Sequence, residues 1–231
     1  MMFSLSLITF LMDVAVVLWA AWLLVRTLAG DTGGLLERIL AWGLAGFILV
    51  AGTGVLLGAT GGLGQPGFLL VHGAVLAGLV LARKSRRGDD WAALRMLAGD
   101  MGRIVRAPGA EGRLAGAMIV LAAGLVAVAA AAHPVVFDAL TYRLSRVGQW
   151  LQDGRITVIA TDDARLNYMP VVPDLVMAWL LTAMPAGYKA AAVAQAVGGI
   201  LALGATMGLA RLTGLGRGAA LGAAGLFLGL P

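Results

Sequence analysis

Apolar residues run along this chain in blocks of about 20, divided by short polar links. A transmembrane helix needs a block of that length. The first runs from about Leu5 to Leu28, and a polar link from Gly30 to Arg38 follows. The second covers about Ile39 to Ala59, an uncharged glycine-rich turn spans Gly58 to Gly67, and a third, shorter block covers Phe68 to Ala82. Charge then dominates from Arg83 to Arg113, and a fourth block fills Leu114 to Ala132. The longest polar stretch, 133–172, comes next, followed by a short apolar piece at Val171–Met184 and a clear block at about Ala190–Ala210. A last apolar run starts near Ala219 and stops at Pro231. The pattern predicts an all-α polytopic membrane protein with about six to seven hydrophobic helices, the final one cut short.

Two polar stretches carry helical periodicity of their own. Trp91, Leu94, Ala98, Met101 and Val105 repeat at three- and four-residue steps, with Arg95, Arg103 and Arg106 among them. That spacing predicts an amphipathic helix on an anionic membrane surface, its start capped by Asp89 or Asp90. Phe137, Leu140, Leu144, Val147 and Leu151 form a second stripe, beside polar Asp138, Thr141, Tyr142, Ser145 and Gln149. This predicts an interfacial helix in the 133–172 loop. Three regions follow: 1–82 with three helices, 83–113 as a basic loop, and 114–231 with helix 114–132, loop 133–172 and further helices.

Composition reinforces the pattern. Of the 231 residues 60% are hydrophobic and 13% charged, about half the charge of a soluble domain. The 34 glycines suit helices that approach closely in lipid, and the pairs Gly54/Gly58 and Gly204/Gly208 read as packing faces. There is no cysteine, so disulfides, thiolate nucleophiles and Cys-ligated metals are excluded. With only His72 and His133, no histidine-rich metal site is expected. The net charge of +5 reflects basic residues beside apolar spans, not nucleic-acid binding. The N-terminus lacks a basic n-region and a cleavage site and reads as a retained span.

Residues 83–113 hold eight Lys/Arg against four Asp/Glu, which places this loop in the cytoplasm. The N-terminus and the 133–172 loop then lie outside, in the periplasm for a Gram-negative host. Whether Val171–Met184 crosses stays open: if it does, Arg211 and Arg217 lie outside, and if it is a surface or re-entrant helix they lie inside.

Among chemistry-bearing residues, Gly62-x-Gly64-x-x-Gly67 matches a dinucleotide string but lacks the preceding strand that chemistry needs. Asp13 and His72 are ionisable groups near apolar spans and so are functional candidates by default. Asp138 is a natural N-cap, with Phe137 and Tyr142 as a hydrophobic staple. As a carboxylate at the membrane surface it is also suited to accept a proton from a nucleophile, or to bind a divalent cation that holds a phosphate. Arg143, Arg146, Arg155 and Arg165 suit bidentate phosphate recognition. Pairing with Asp153, Asp162 and Asp163 is the alternative.

The run from His133 to Gln152 resembles the first extracytoplasmic loop of GT-C fold membrane glycosyltransferases, in the branch of protein mannosyltransferases and lipid A aminoarabinose transferases. That branch carries Asp-x-x-Thr-Tyr-His-x-x-Arg-Val and a downstream Trp; here stand Asp138, Thr141, Tyr142, Arg146, Val147 and Trp150. Arg165, Asn167, Tyr168 and Pro170 match its Arg-Gln-Asn-Tyr-x-Pro. The departures are Arg143 for His, Ser145 for Pro and Leu166 for Gln. The match covers about 40 residues and only the N-terminal portion of the family, whose members have many more spans.

The resemblance implies a transferase in the bacterial inner membrane moving sugar from a polyprenyl-phosphate donor. It implies Asp138 as the catalytic carboxylate, and a substrate site of Tyr142, Arg143, Arg146, Arg165, Asn167 and Tyr168. Apart from the resemblance, no cofactor is certain, a divalent cation at Asp138 being an option; membrane lipid and, in the subunit alternative, a membrane protein partner are the expected neighbours, with no nucleic acid. Activity is not expected of residues 1–231 alone. The alternatives are a non-catalytic membrane subunit of a larger complex and, third, a transporter.

Overall fold

The computed structural model describes residues 2–30, 34–106, 110–131, 142–168, 170–182 and 188–228. It is 85% helix with no strand among the described residues, as a chain in hydrocarbon requires if its backbone polar groups are to be satisfied internally. In order the helices are α1 (Met2–Leu28), α2 (Leu35–Thr60), α3 (Gln65–Ala82), α4 (Arg87–Val105), α5 (Ala110–Ala131), α6 (Leu144–Asp153), α7 (Arg165–Tyr168), α8 (Val172–Leu181), α9 (Tyr188–Leu212) and α10 (Arg217–Leu228). Segments of α1, α2, α3 and α9 are long and apolar enough to cross a bilayer.

Side-chain pairs fix the direction of each span. Ser6 Oγ donates to Gln65 Oε1, Asp13 faces His72, and Arg83 donates to Thr27 Oγ1, so α1 and α3 run parallel. Trp42 Nε1 donates to the Leu18 carbonyl, 2.8 Å away, and joins α2 to α1. Gly43 meets Leu201, Gly204 meets Leu40, and Gly208 meets Leu40 and Leu36, so α9 is antiparallel to α2. The glycine pairs are packing faces as expected, but they receive large side chains: Gly54 takes Leu175 and Gly58 takes Ile156.

The bundle therefore has two chemically distinct ends. At one end the basic turn Lys84–Arg86 leads into α4. Asp90 accepts hydrogen bonds from Arg83 Nε and Nη2 and from Arg26 Nε, and Asp100 accepts from Arg38 at 2.8 Å and from Arg103. Burial alone would raise the Asp90 carboxyl; the hydrogen bonds from Arg83 and Arg26 outweigh it and hold it below the ordinary carboxylate value. This fastening is present above that ordinary value and is lost only as pH falls below it. The face of α4 turned to the bundle is Asp90, Ala93 and Leu97, with Trp91 exposed. Of the predicted stripe, Leu94 packs on this core and Trp91 rests on Trp19 while Ala98 is exposed; the acids paired to Arg26, Arg83 and Arg38 fasten the helix. The helix starts at Arg87, so Asp89 and Asp90 lie within its first turn, not at its cap.

At the other end α2 closes at Gly61 in the left-handed region (φ 81), where Gly62 N–H donates to the Leu57 carbonyl. Gly154 (φ 68) closes α6 in the same way. The two turns abut: Leu63 N–H donates to the Gly154 carbonyl at 2.8 Å and Ile156 N–H to the Gly58 carbonyl at 3.0 Å. The Gly62–Gly67 string is thus part of a docking turn.

The fate of Val171–Met184 follows from these contacts. Leu175 of α8 packs on Gly54, and Thr182, just past α8, offers its carbonyl to Ser6 Oγ. Both contacts lie toward the Gly61 end. Ten residues of helix rise about 15 Å, half a hydrocarbon core. So α8 stays in one half of the bundle, and α9 carries Arg211 toward the α4 end. Arg211, Arg217 and the 83–113 cluster share one side. Because the chain has no cysteine, single cysteines report sidedness directly. Ser85→Cys and Thr213→Cys are expected to react with an impermeant maleimide from the same face of sealed vesicles, and Val158→Cys from the opposite face. Thr213→Cys labelling with Val158→Cys would instead mean that α8 crosses.

Candidate functional site

The site lies where the loop after α5 folds back onto α8. In α6 the inward face is Arg146, Val147 and Trp150, preceded by buried Tyr142. The predicted stripe packs here too, with Leu144, Val147 and Leu151 against Met177 and Ala178 of α8, while Ser145 and Gln149 remain exposed as expected. The buried face is widened to Arg146 by Asp174, which opens α8 and is fully buried. A buried carboxylate needs charged or donor partners. Arg146 pairs with its Oδ2, and Arg143 Nη1 donates to its Oδ1 at 3.1 Å.

Arg146 does more than neutralise Asp174. Its Nη1 donates to the Leu166 carbonyl and its Nη2 to the Pro170 carbonyl, each at 3.3 Å. Its guanidinium lies 5.2 Å from the Trp150 ring centroid. One side chain thus joins α6, α7, the α7–α8 link and α8. The fork geometry of arginine makes this possible where lysine would offer only a point charge.

The other predicted residues surround this hub. Arg143 and Arg165 lie 5.7 and 5.4 Å from the Tyr142 ring centroid. Arg165 is paired with Asp163 at 2.7 Å, the acidic alternative considered for it, and this holds the Asp163 carboxyl below its ordinary value. Asn167 accepts from Ile159 N–H and donates to the Ile159 carbonyl, both at 2.9 Å, so its amide closes the 159–167 loop. Tyr168 is 68% exposed. Trp150 Nε1 donates to the Thr157 carbonyl. The structure therefore gathers Tyr142, Arg143, Arg146 and Arg165, sets Asn167 in the loop beside them and leaves Tyr168 outward. Asp138 lies outside the described residues.

Beneath the hub a second polar group crosses the helix layer. Asp13 Oδ1 lies 2.9 Å from His72 Nδ1, and Trp179 Nε1 donates to Asp13 Oδ2 at 2.7 Å. All three are at most 9% exposed. Trp179 belongs to α8, so this contact ties α8 to α1 and α3. Among the described residues His72 Nε2 has no hydrogen-bond partner.

Asp174 was missed in the sequence, although an acid in the first turn of an apolar helix is a recognisable signal. No group of three or more acidic or histidine residues able to hold a metal occurs among the described residues. No protein-family model, curated protein or solved structure matches this chain.

The two kinds of arginine pair differ in expected cost. Arg146→Ala leaves Asp174 with a broken buried pair and is expected to lower stability by roughly 3–5 kcal/mol. Arg165→Ala removes a solvent-screened pair and is expected to cost far less. Reversible unfolding by sodium dodecyl sulfate in mixed micelles measures both, and equal small losses would contradict the hub.

Proposed function

We propose that this chain is the N-terminal part of a GT-C-like membrane glycosyltransferase that takes sugar from a polyprenyl-phosphate donor. The supporting observation is the placement of the loop that resembles that family. Residues 142–168 and 170–171 fold down onto one end of the helix bundle, opposite the basic helix α4. With α4 at the cytoplasmic face of a bacterial inner membrane, as its basic charge favours, the loop lies at the extracytoplasmic face.

In this reading Asp138, shortly before Tyr142, is the carboxylate that orients or deprotonates the acceptor. Arg143 and Arg165 flank the Tyr142 ring with side chains 23% and 37% exposed. Both are accessible to a donor phosphate, which would compete with Asp174 and Asp163 for them. Arg146 has no exposed side-chain surface, so its part is to position α6 and α8 beneath that site.

Asp138→Asn in the longer enzyme is expected to lower sugar transfer from a lipid-linked donor at least about 100-fold. Donor binding should be retained. Transfer at close to the wild-type rate would refute the assignment.

A further inference from the structure

At the α4 end an open groove of about 230 Å³ is lined by Trp19, Leu23, Val80, Arg83, Asp90 and Trp91. We propose that it is a binding site for an anionic glycerophospholipid. Its chemistry is ordered along the helix axis as a lipid is. Leu23 and Val80 are apolar residues from the spans of α1 and α3, one buried and one partly so. One turn deeper in α1 than Leu23, Trp19 packs against Trp91 with ring centroids 4.9 Å apart, Trp91 remaining 54% exposed; toward the end of the spans the lining turns charged at Arg83 and Asp90. The groove thus passes from aromatic and apolar side chains to charged ones toward the α4 end, as a lipid passes from acyl chain to headgroup.

Immediately past Arg83 the turn Lys84–Arg86 begins, tied by Arg86 N–H to the Arg83 carbonyl at 2.8 Å. Lys84 and Arg86 are exposed. Arg83 is committed to Asp90 and Thr27, so it forms the floor and does not serve as the phosphate ligand. Lys84 and Arg86 lie outside the lining but follow Arg83 directly in the chain, and in this proposal their exposed cations take the phosphate of a lipid whose acyl chains lie along Trp19, Leu23 and Val80. Asp90 is neutralised by Arg83 and Arg26, and Asp89, exposed at the start of α4, selects against a second negative charge. The site thus fits a singly charged diacyl phosphate such as phosphatidylglycerol. It lies at the opposite end from the loop assigned to the sugar donor.

The test uses the full chain in bilayer nanodiscs and follows the emission that Trp91→Phe removes. Brominated phosphatidylglycerol is expected to quench that component with an apparent association about tenfold stronger than brominated phosphatidylcholine. The double variants Lys84→Gln/Arg86→Gln and Lys84→Glu/Arg86→Glu should abolish the preference while circular dichroism stays unchanged. Equal quenching by both lipids would overturn the proposal, as would a preference that survives either double variant. Relief of quenching by soluble glycerol phosphate would overturn the lipid as occupant and point to a soluble phosphate.

Discussion

The arrangement of the loop end depends on one buried carboxylate. Asp174 sits at the head of a ten-residue apolar helix with no exposed surface, and a charge there is tolerable only with partners. Arg146 provides the partner from α6 and, with its remaining donors, takes up the carbonyls of Leu166 and Pro170. Three short elements that could not fold alone are thereby fixed to each other. Trp179, farther along α8, extends the tie to Asp13 and His72 in α1 and α3. The polar groups thus form a short ladder from the surface loop into the helix layer.

The opposite end applies the same rule with the charges reversed in origin. There the spans supply arginines, Arg26, Arg38 and Arg83, and the amphipathic helix supplies Asp90 and Asp100. Both peripheral layers are therefore held by carboxylate–guanidinium pairs, with apolar packing between α1, α2 and α9 in the middle. The pairs also decide orientation, since a helix attached through Asp90 turns Ala93 and Leu97 into the bundle.

Much of this was legible in the sequence. Apolar blocks mark α1, α2, α3, α5 and α9 because block length and helix rise are set by the same bilayer. Hydrophobic stripes located α4 and α6, and the α6 stripe packs against α8. What the stripes did not show is the polar part of each docking face, because a pair such as Arg26–Asp90 or Arg146–Asp174 leaves no trace in local periodicity. The crossing of α8 was undecided by charge counting and is decided by contacts: Leu175 on Gly54 and Thr182 at Ser6. The arginines of the loop were visible as a cluster, yet their common partner was not, because Asp174 lies beyond the polar stretch inside an apolar run.

The claim that Asp174 organises the loop end is tested most directly by amide hydrogen exchange on the full chain, comparing Asp174→Asn with the wild type. The substitution keeps shape and removes charge. The account predicts that protection across α6 and α7 falls sharply while α1, α2 and α3 keep theirs. Unchanged protection across residues 144–168, or an equal loss throughout the bundle, would contradict it.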